Sequence, residues 1–184
     1  LAMIIKCYDY AFSTREGLSC YLKWNKYLIP RFNITSQTVD KRFAELISEY
    51  TNRLKHYISF EINTIPELKN TKSLTSEQQK NSEAELIIKN LQPSDYVVLL
   101  DEHGKEMRSV EMADWMKRKM NTINKRIVFI IGGPYGFSQK IYDIAHEKLS
   151  MSKMTFSHQM IRLIFVEQLY RSMTILNGEP YHHE

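Results

Sequence analysis

The chain of 184 residues is poor in cysteine and contains no long apolar run. Its two cysteines, Cys7 and Cys20, show no Cys-x-x-Cys or Cys/His spacing, so neither a disulfide framework nor a zinc site is indicated. No segment approaches the roughly 20 apolar residues that cross a bilayer. The apolar start is interrupted by Lys6 and Asp9, and no small-residue cleavage site follows it. These absences predict a cytoplasmic protein with no membrane partner and no metal.

The charged side chains are nearly balanced, but one basic cluster stands out. The chain has 25 Lys and Arg residues against 21 Asp and Glu, which gives a net charge of +4. The basic cluster consists of Lys117, Arg118, Lys119, Lys125 and Arg126. Such a cluster can neutralise phosphates and favours a nucleic-acid partner. The same pattern is also typical of a solvated helix end.

Hydrophobic side chains make up 43% of the chain, which suits one globular domain, and their spacing predicts alternating helices and strands. The predicted helices cover residues 38–57, 76–90, 109–120, 139–148 and 158–176. The predicted strands cover residues 60–65, 96–100 and 127–131. The last two strands are continuously apolar, which is typical of parallel strands covered on both faces. The pattern therefore predicts an α/β fold with a parallel sheet flanked by helices.

Loops with small or charged residues follow both apolar strands. The sequence DEHG occupies residues 101–104, and GGPYG occupies residues 132–136. Ligands of α/β proteins collect at the carboxyl ends of parallel strands, so these loops predict a pocket. GGPYG is neither the dinucleotide fingerprint nor a P-loop, which excludes those two phosphate cradles. Taken alone, GGPYG is equally consistent with a simple tight turn.

Five motifs in the last third of the chain carry a resemblance to a known family. They are the IGGPYG turn, LSMSKMTF at residues 149–156, HQMIRL at the start of the last helix, EQLYR at residues 167–171, and the terminal PYH. In their order and spacing the chain resembles the RlmH family of SPOUT methyltransferases, which methylate 23S ribosomal RNA. The resemblance extends back through LLDEHGKE to about residue 39.

The resemblance implies an α/β fold with a C-terminal deep trefoil knot, S-adenosylmethionine (SAM) as methyl donor, and a homodimer. It further implies methylation at N3 of a pseudouridine in the 23S rRNA of assembled 70S ribosomes. The positions that match the family's cofactor contacts are Leu100, Gly132, Met151, Ser152, Lys153, Met154, Thr155 and Phe156. Backbone groups in such loops can hold the cofactor, and Leu100, Met154 and Phe156 offer apolar contact. Met151 and Met154 are equally suited to filling the core.

The candidates for substrate contact lie at the start of the last helix and at the C-terminus. The family's Tyr-His pair matches Tyr181 and His182, which we expect to engage the substrate. His158 and Arg162 are further candidates, because a base or a cation can assist loss of the proton from the ring nitrogen. Alternatively, His158 has a structural role and bonds to the backbone at the start of the helix. The alternative role of Arg162 is an ion pair. His183 stands where the family commonly has Lys or Arg.

The resemblance fails at the N-terminus, where family members begin with an apolar strand followed directly by the first helix. Residues 1–37 are therefore predicted to be an atypical extension, and residues 38–184 to be the SPOUT methyltransferase domain. Residues 3–7 can supply the first strand, with an inserted helix or loop at residues 13–25. Alternatively, residues 32–35 form a short strand and the preceding residues are a mobile extension.

Three functions remain open on the sequence alone. The favoured one is the pseudouridine N3-methyltransferase; the others are a SPOUT methyltransferase with another RNA target and a non-catalytic ribosome- or RNA-binding dimer. A dimer is expected in each case, because the last helix is apolar almost around its circumference and one sheet face does not cover it.

Overall fold

A computed structural model of the chain describes residues 3–7, 40–66, 68, 73–133 and 135–183. Five strands and five helices lie in these ranges. The strands are β1 (Met3–Cys7), β2 (Phe60–Thr64), β3 (Tyr96–Glu106), β4 (Ile127–Ile131) and β5 (Glu147–Ser150). The helices are α1 (Lys41–Leu54), α2 (Ser76–Lys89), α3 (Ser109–Thr122), α4 (Gln139–Ile144) and α5 (His158–Leu176). None of these helices has the length and apolar character needed to cross a membrane.

The five strands form one sheet in the order β2-β1-β4-β3-β5. β3 pairs in parallel with β4 on one side and with β5 on the other, which confirms the predicted parallel sheet for these strands. β1 lies between β2 and β4 and runs antiparallel to both, so the complete sheet is mixed. Residues 3–7 therefore do form a strand. Residues 13–25 and 32–35, which the alternative predictions concern, lie outside the described residues.

Both faces of the central strands are buried, because the side chains of β3 and β4 alternate between two cores. On one face, Val98, Leu100 and Phe129 pack with residues of α1, α3 and α5. On the other face, Leu99 and Ile130 pack with residues of α2 and α4. The Phe129 ring lies 4.9 Å from the ring of Phe165 on α5, a separation typical of favourable aromatic pairs. The result is a sheet layer between two helical layers.

Two predictions for the region after Leu100 are wrong. The predicted helix over residues 139–148 ends at Ile144, and Glu147–Ser150 forms β5 instead. The His146 amide donates to the Val97 carbonyl at 2.8 Å, so the chain joins the edge of the sheet rather than continuing the helix. β3 in turn runs on to Glu106, beyond its predicted end, because β5 supplies backbone partners for this polar stretch.

Candidate functional site

The bulge of β3 and the carboxyl end of β4 bring three of the predicted cofactor elements together. Leu100 is paired in register with Ile131 of β4 and with Leu149 of β5. Gly132 directly follows Ile131, and the segment 151–156 directly follows β5. Leu100, Gly132 and this segment therefore lie at one edge of the sheet, where the sequence predicts the pocket.

β3 bulges at this edge, since Leu100 and Lys105 both pair with Leu149. Gly104 lies in the bulge against the Leu149 backbone. A Cβ at Gly104 would lie 2.7 Å from Leu149 N and 2.8 Å from Leu149 Cα, which is closer than real Cβ atoms approach. Glycine is required here because the neighbouring atoms are backbone and cannot rotate away. The bulge and β5 thus pack backbone against backbone just before the predicted cofactor segment.

Two serine hydroxyls hold the segment 151–156, which contains no helix or strand. The Ser150 hydroxyl donates to the Ser152 carbonyl at 3.0 Å, and the Met154 amide donates to Ser152 Oγ at 2.9 Å. Met151 is half-buried against the core, in agreement with a packing role. Met154 is 75% exposed, so core filling is wrong for this residue.

The remaining members of the segment differ in exposure. Lys153 is exposed, and its Nζ lies 3.8 Å from Glu106 Oε2. Thr155 is exposed, whereas Phe156 is half-buried. The segment therefore presents an apolar ring, an exposed thioether and backbone groups close to Leu100, a combination that suits an adenosine-like ligand with an apolar face.

The GGPYG segment forms a tight turn. Gly136 has a φ of +76°, a conformation that favours glycine, and its amide donates to the Gly133 carbonyl at 3.0 Å. Gly133 lies against the carboxylate of Glu83 on α2, where a Cβ would come within 2.9 Å of Cδ. Gly132 lies against the ring of Phe137, at a predicted Cβ distance of 3.1 Å. The prediction of a tight turn is confirmed by the bond between Gly136 and Gly133.

His158 and Arg162 lie one helical turn apart at the start of α5, so their side chains share one face. The Ser157 hydroxyl caps this helix by accepting from the Met160 amide at 3.3 Å. Arg162 is 5% exposed and His158 is half-buried, and both make polar interactions within the chain. A buried cation can stabilise negative charge that develops close to it.

Tyr181 is fixed by α1 and α5. Its hydroxyl donates to Glu167 Oε1 at 3.1 Å and lies 3.4 Å from the Tyr50 hydroxyl. Arg171 donates to the same Glu167 oxygen from Nε at 3.0 Å and from Nη2 at 2.5 Å. The Arg171 guanidinium lies 4.8 Å from the centre of the Tyr181 ring, and the Tyr170 ring meets it edge-on at 4.9 Å. The C-terminal segment is thereby attached to the body of the protein.

These contacts decide the protonation state of Tyr181. Burial raises the pKa of the Tyr181 hydroxyl above its usual range, and the bond with Tyr50 and the charge of Glu167 raise it further. Tyr181 is therefore a protonated hydrogen-bond donor at neutral pH. The next residue, His182, is half-buried, and its Nδ1 is shielded from solvent with no hydrogen-bond partner in the described part of the chain.

The basic cluster divides into structural and exposed members. Lys119 forms an ion pair with Glu147, and Arg126 Nη2 lies 2.5 Å from Oδ2 of the fully buried Asp95. These two cations therefore pair with carboxylates within the protein, which corrects the prediction that all five can neutralise phosphates. The exposed members are Lys117, Arg118 and Lys125.

Sequence reasoning missed several residues near these sites. Tyr50 and Glu83 were not singled out, because helical spacing alone does not show which distant segment a side chain contacts. Asp101 accepts from the Tyr142 hydroxyl at 2.5 Å and from the His103 amide at 2.8 Å, a contact that no motif indicates. Within the described ranges, no group of three His, Cys, Asp or Glu side chains is placed to hold a metal ion.

Comparison with known proteins decides the family. A family model described as "Predicted SPOUT methyltransferase" matches residues 31–182, which is most of the chain. The chain belongs to the SPOUT methyltransferase family. Similar proteins named "Ribosomal RNA large subunit methyltransferase H" come from Bacteroides fragilis, 71% identical over 151 residues, and Bacteroides thetaiotaomicron, 68% identical over 151 residues. A third, from Parabacteroides distasonis, is 63% identical over 142 residues.

These alignments cover nearly all of each relative. They span 82% of this chain and 96% of each Bacteroides protein, and 77% and 90% for the Parabacteroides protein. The resemblance drawn from the C-terminal motifs is thus confirmed. The SPOUT methyltransferase match includes all the predicted cofactor residues and His158, Arg162, Tyr181 and His182, whereas β1 lies outside it. The division at residue 37 stays a prediction.

Proposed function

We propose that this SPOUT methyltransferase transfers a methyl group from SAM to N3 of a pseudouridine in 23S rRNA of assembled 70S ribosomes. The names of its relatives support large-subunit ribosomal RNA as the substrate class. The motifs at residues 149–156 and 167–171 and the terminal Tyr-His pair support the finer assignment. A ribosomal substrate places the protein in the cytoplasm.

The observation that carries the proposal is the convergence of Leu100, Gly132 and the segment 151–156 at one edge of the sheet. The donor set fits SAM, because it combines the apolar side chains of Leu100 and Phe156 with backbone groups of irregular loops. When bound there, SAM supplies an electrophilic methyl carbon. Leu100, Met151 and Phe156 exclude water from this site, and the backbone of residues 152–155 orients the cofactor.

A deep trefoil knot belongs to the same proposal. The match to the SPOUT methyltransferase family supports it. The knot would bring the bulge of β3, the turn at residues 132–136 and the segment 151–156 around one cofactor.

On the substrate side, Tyr181 is a positioning residue and His182 is the group that faces the base. Tyr181 is a protonated donor bound to Glu167, so it holds the C-terminal segment rather than accepting a proton. The half-buried imidazole of His182 can accept a hydrogen bond from a ring nitrogen of the base or donate one to its neighbouring carbonyl. Arg162 and His158 then stabilise the negative charge that the ring gains when N3 loses its proton.

A homodimer completes the proposal. Leu46 on α1 is 43% exposed and Met160 on α5 is 38% exposed. The two helices begin side by side, since the Asp40 amide donates to Gln159 Oε1 at 3.2 Å. We expect Leu46→Glu combined with Met160→Glu to give a monomer in light scattering. Ile88→Glu on α2, at a similarly exposed apolar position of 41%, should leave the dimer intact and is the matched control.

The function is tested by transfer of labelled methyl from SAM to unmethylated 70S ribosomes, compared with ribosomes that lack the pseudouridines. Incorporation only into the pseudouridine-containing ribosomes is the expected result. His182→Ala should abolish it, whereas the exposed neighbour variant His183→Ala should retain most of it. Incorporation into both kinds of ribosome would indicate another RNA target. No SAM affinity in calorimetry of the folded dimer would favour the non-catalytic function.

The exposed basic residues Lys117 and Arg118 are proposed to anchor the ribosome through phosphates. Their charge reversal should weaken ribosome binding and reduce its salt dependence. Lys119 is left unchanged in this variant because its loss would break the ion pair with Glu147. Unchanged binding in a salt titration would remove this surface from the proposal.

A further inference from the structure

A cavity of about 590 Å³ lies between the bulge of β3, the end of α4 and the start of β5. Its lining residues are His103, Gly104, Lys105, Gln139, Tyr142, Ala145, His146, Glu147 and Lys148. None of the predicted cofactor or substrate residues belongs to this set. The cavity is nevertheless close to the cofactor segment, because Lys148 is followed by Leu149 and Ser150, which lead into it. Its volume is within the range of small-ligand sites.

The charges that line the cavity favour an anion. Lys105 and Lys148 are exposed, and within the described residues neither forms an ion pair with a carboxylate. Lys148 Nζ lies 5.5 Å from the centre of the Tyr142 ring, which keeps this ammonium group at the cavity wall. Two positive charges therefore face a pocket whose other lining groups are mainly neutral.

Glu147, which also lines the cavity, does not cancel these charges. Its carboxylate is bound by Lys119, by the Trp115 indole N–H at 2.8 Å and by the Tyr96 hydroxyl at 2.5 Å. Burial alone would raise the pKa of Glu147, but hydrogen bonds from Lys119, Tyr96 and Trp115 outweigh it and lower the pKa. The negative charge of Glu147 is thus neutralised by the cation of Lys119 behind the wall.

Two histidines in the lining have defined orientations. His146 Nδ1 accepts from the Val97 amide at 3.1 Å, so in the neutral ring the proton lies on Nε2, where it can be donated. The Tyr96 ring packs on this imidazole at 4.5 Å. His103 Nδ1 lies 3.2 Å from Asp101 Oδ1, a carboxylate that Tyr142 also binds. Because the Nδ1–H of a neutral His103 ring is directed at Asp101, His146 is the histidine that offers the cavity a ring N–H donor in addition to the two lysines.

We propose that this cavity binds a phosphodiester of the RNA, outside the target base. Lysine ammonium groups and imidazole N–H donors are the groups that bind phosphate oxygens. The inference rests on the proposed RNA substrate, and it adds a contact that neither the cofactor segment nor the C-terminal residues provide.

The test uses the full dimer and a double variant, Lys105→Gln with Lys148→Gln. Lys89→Gln, at an exposed lysine at the end of α2, is the matched control. Affinity for 70S ribosomes and for single-stranded RNA oligonucleotides is measured across a salt series. Each phosphate contact to single-stranded RNA contributes about 0.7 to the salt slope, so loss of this one phosphodiester contact should lower the slope by about 0.7 and weaken binding about 5-fold at 0.1 M salt. The control should lose nothing.

Three readouts separate this proposal from the others. SAM affinity by calorimetry should be unchanged in the double variant, which shows that the cofactor segment is intact. A salt slope equal to that of the unmodified protein, or no RNA binding by the unmodified protein, would overturn the cavity proposal. The cavity proposal would also be overturned if inorganic phosphate bound this cavity without displacing RNA. Methyl transfer is measured independently. If pseudouridine were not the methylated base but the double variant still had a reduced salt slope, the cavity proposal would stand.

Discussion

Replacing Gly104 by alanine tests the tight crossing between the β3 bulge and β5. The added Cβ would lie 2.7 Å from Leu149 N, about 0.7 Å short of ordinary van der Waals contact, which begins at 3.4 Å. Overpacking of this kind typically costs 1–3 kcal/mol, and we expect about 3 kcal/mol because the opposing atoms are backbone. For a chain of this size that corresponds to a fall in Tm of about 6–12 °C.

The assay is equilibrium urea denaturation of the variant, with Gly178→Ala as control. Gly178 has a φ of +67° and open space around its Cβ position, so its variant bears only the conformational cost of roughly 1–2 kcal/mol. Because Leu149 leads into the cofactor segment, Gly104→Ala should also weaken SAM binding in calorimetry, whereas Gly178→Ala should not. A Gly104 variant that is as stable as the Gly178 variant would refute the steric argument.

Three further predictions concern the ion pairs. Asp95→Asn should lower the free energy of unfolding by about 3–5 kcal/mol, because it removes the buried negative charge that pairs with Arg126; a loss below 1 kcal/mol in urea denaturation would contradict this. Glu147→Gln should destabilise the protein at pH 7 by about 1–3 kcal/mol. Since the folded-state pKa of Glu147 is depressed, its contribution is present above the unfolded value of 4.5 and is lost as the pH falls through the folded value, so variant and unmodified protein should converge in acid. Glu167→Ala should remove the acceptor of the Tyr181 hydroxyl and reduce kcat for methyl transfer with unchanged SAM affinity; unchanged kcat would remove Glu167 from the positioning role.

The fold was predictable where a segment's own side chains determine its state. β4 and α5 begin and end where the hydrophobic pattern predicts, because one is continuously apolar and the other is long and capped by Ser157. β5 was missed because four residues at a sheet edge carry too little periodicity, and their state depends on pairing with β3. The antiparallel placement of β1 likewise depends on its partners rather than on its own five residues.

The same distinction, between features set by a segment's own residues and features set by distant partners, applies to the candidate site. The positions of Leu100 and Gly132 follow from strand ends, which an apolar run reveals. The contacts of Tyr181 do not, because Tyr50 lies 131 residues away and only the packing of α1 on α5 brings them together. Charge patterns were the least informative, since Lys119 and Arg126 look like surface cations in the sequence but bind the partly buried Glu147 and the buried Asp95.

The packing of α1 on α5 also sets an order of events during synthesis. The Asp40 amide and the Gln159 side chain that it contacts are 119 residues apart. At about 5–20 residues per second, the ribosome needs roughly 6–24 s to make the intervening chain. During that interval Leu54 and the other apolar residues of α1 lack the cover that α5 provides. The core on this face of the sheet is therefore completed only after α5 has been synthesised.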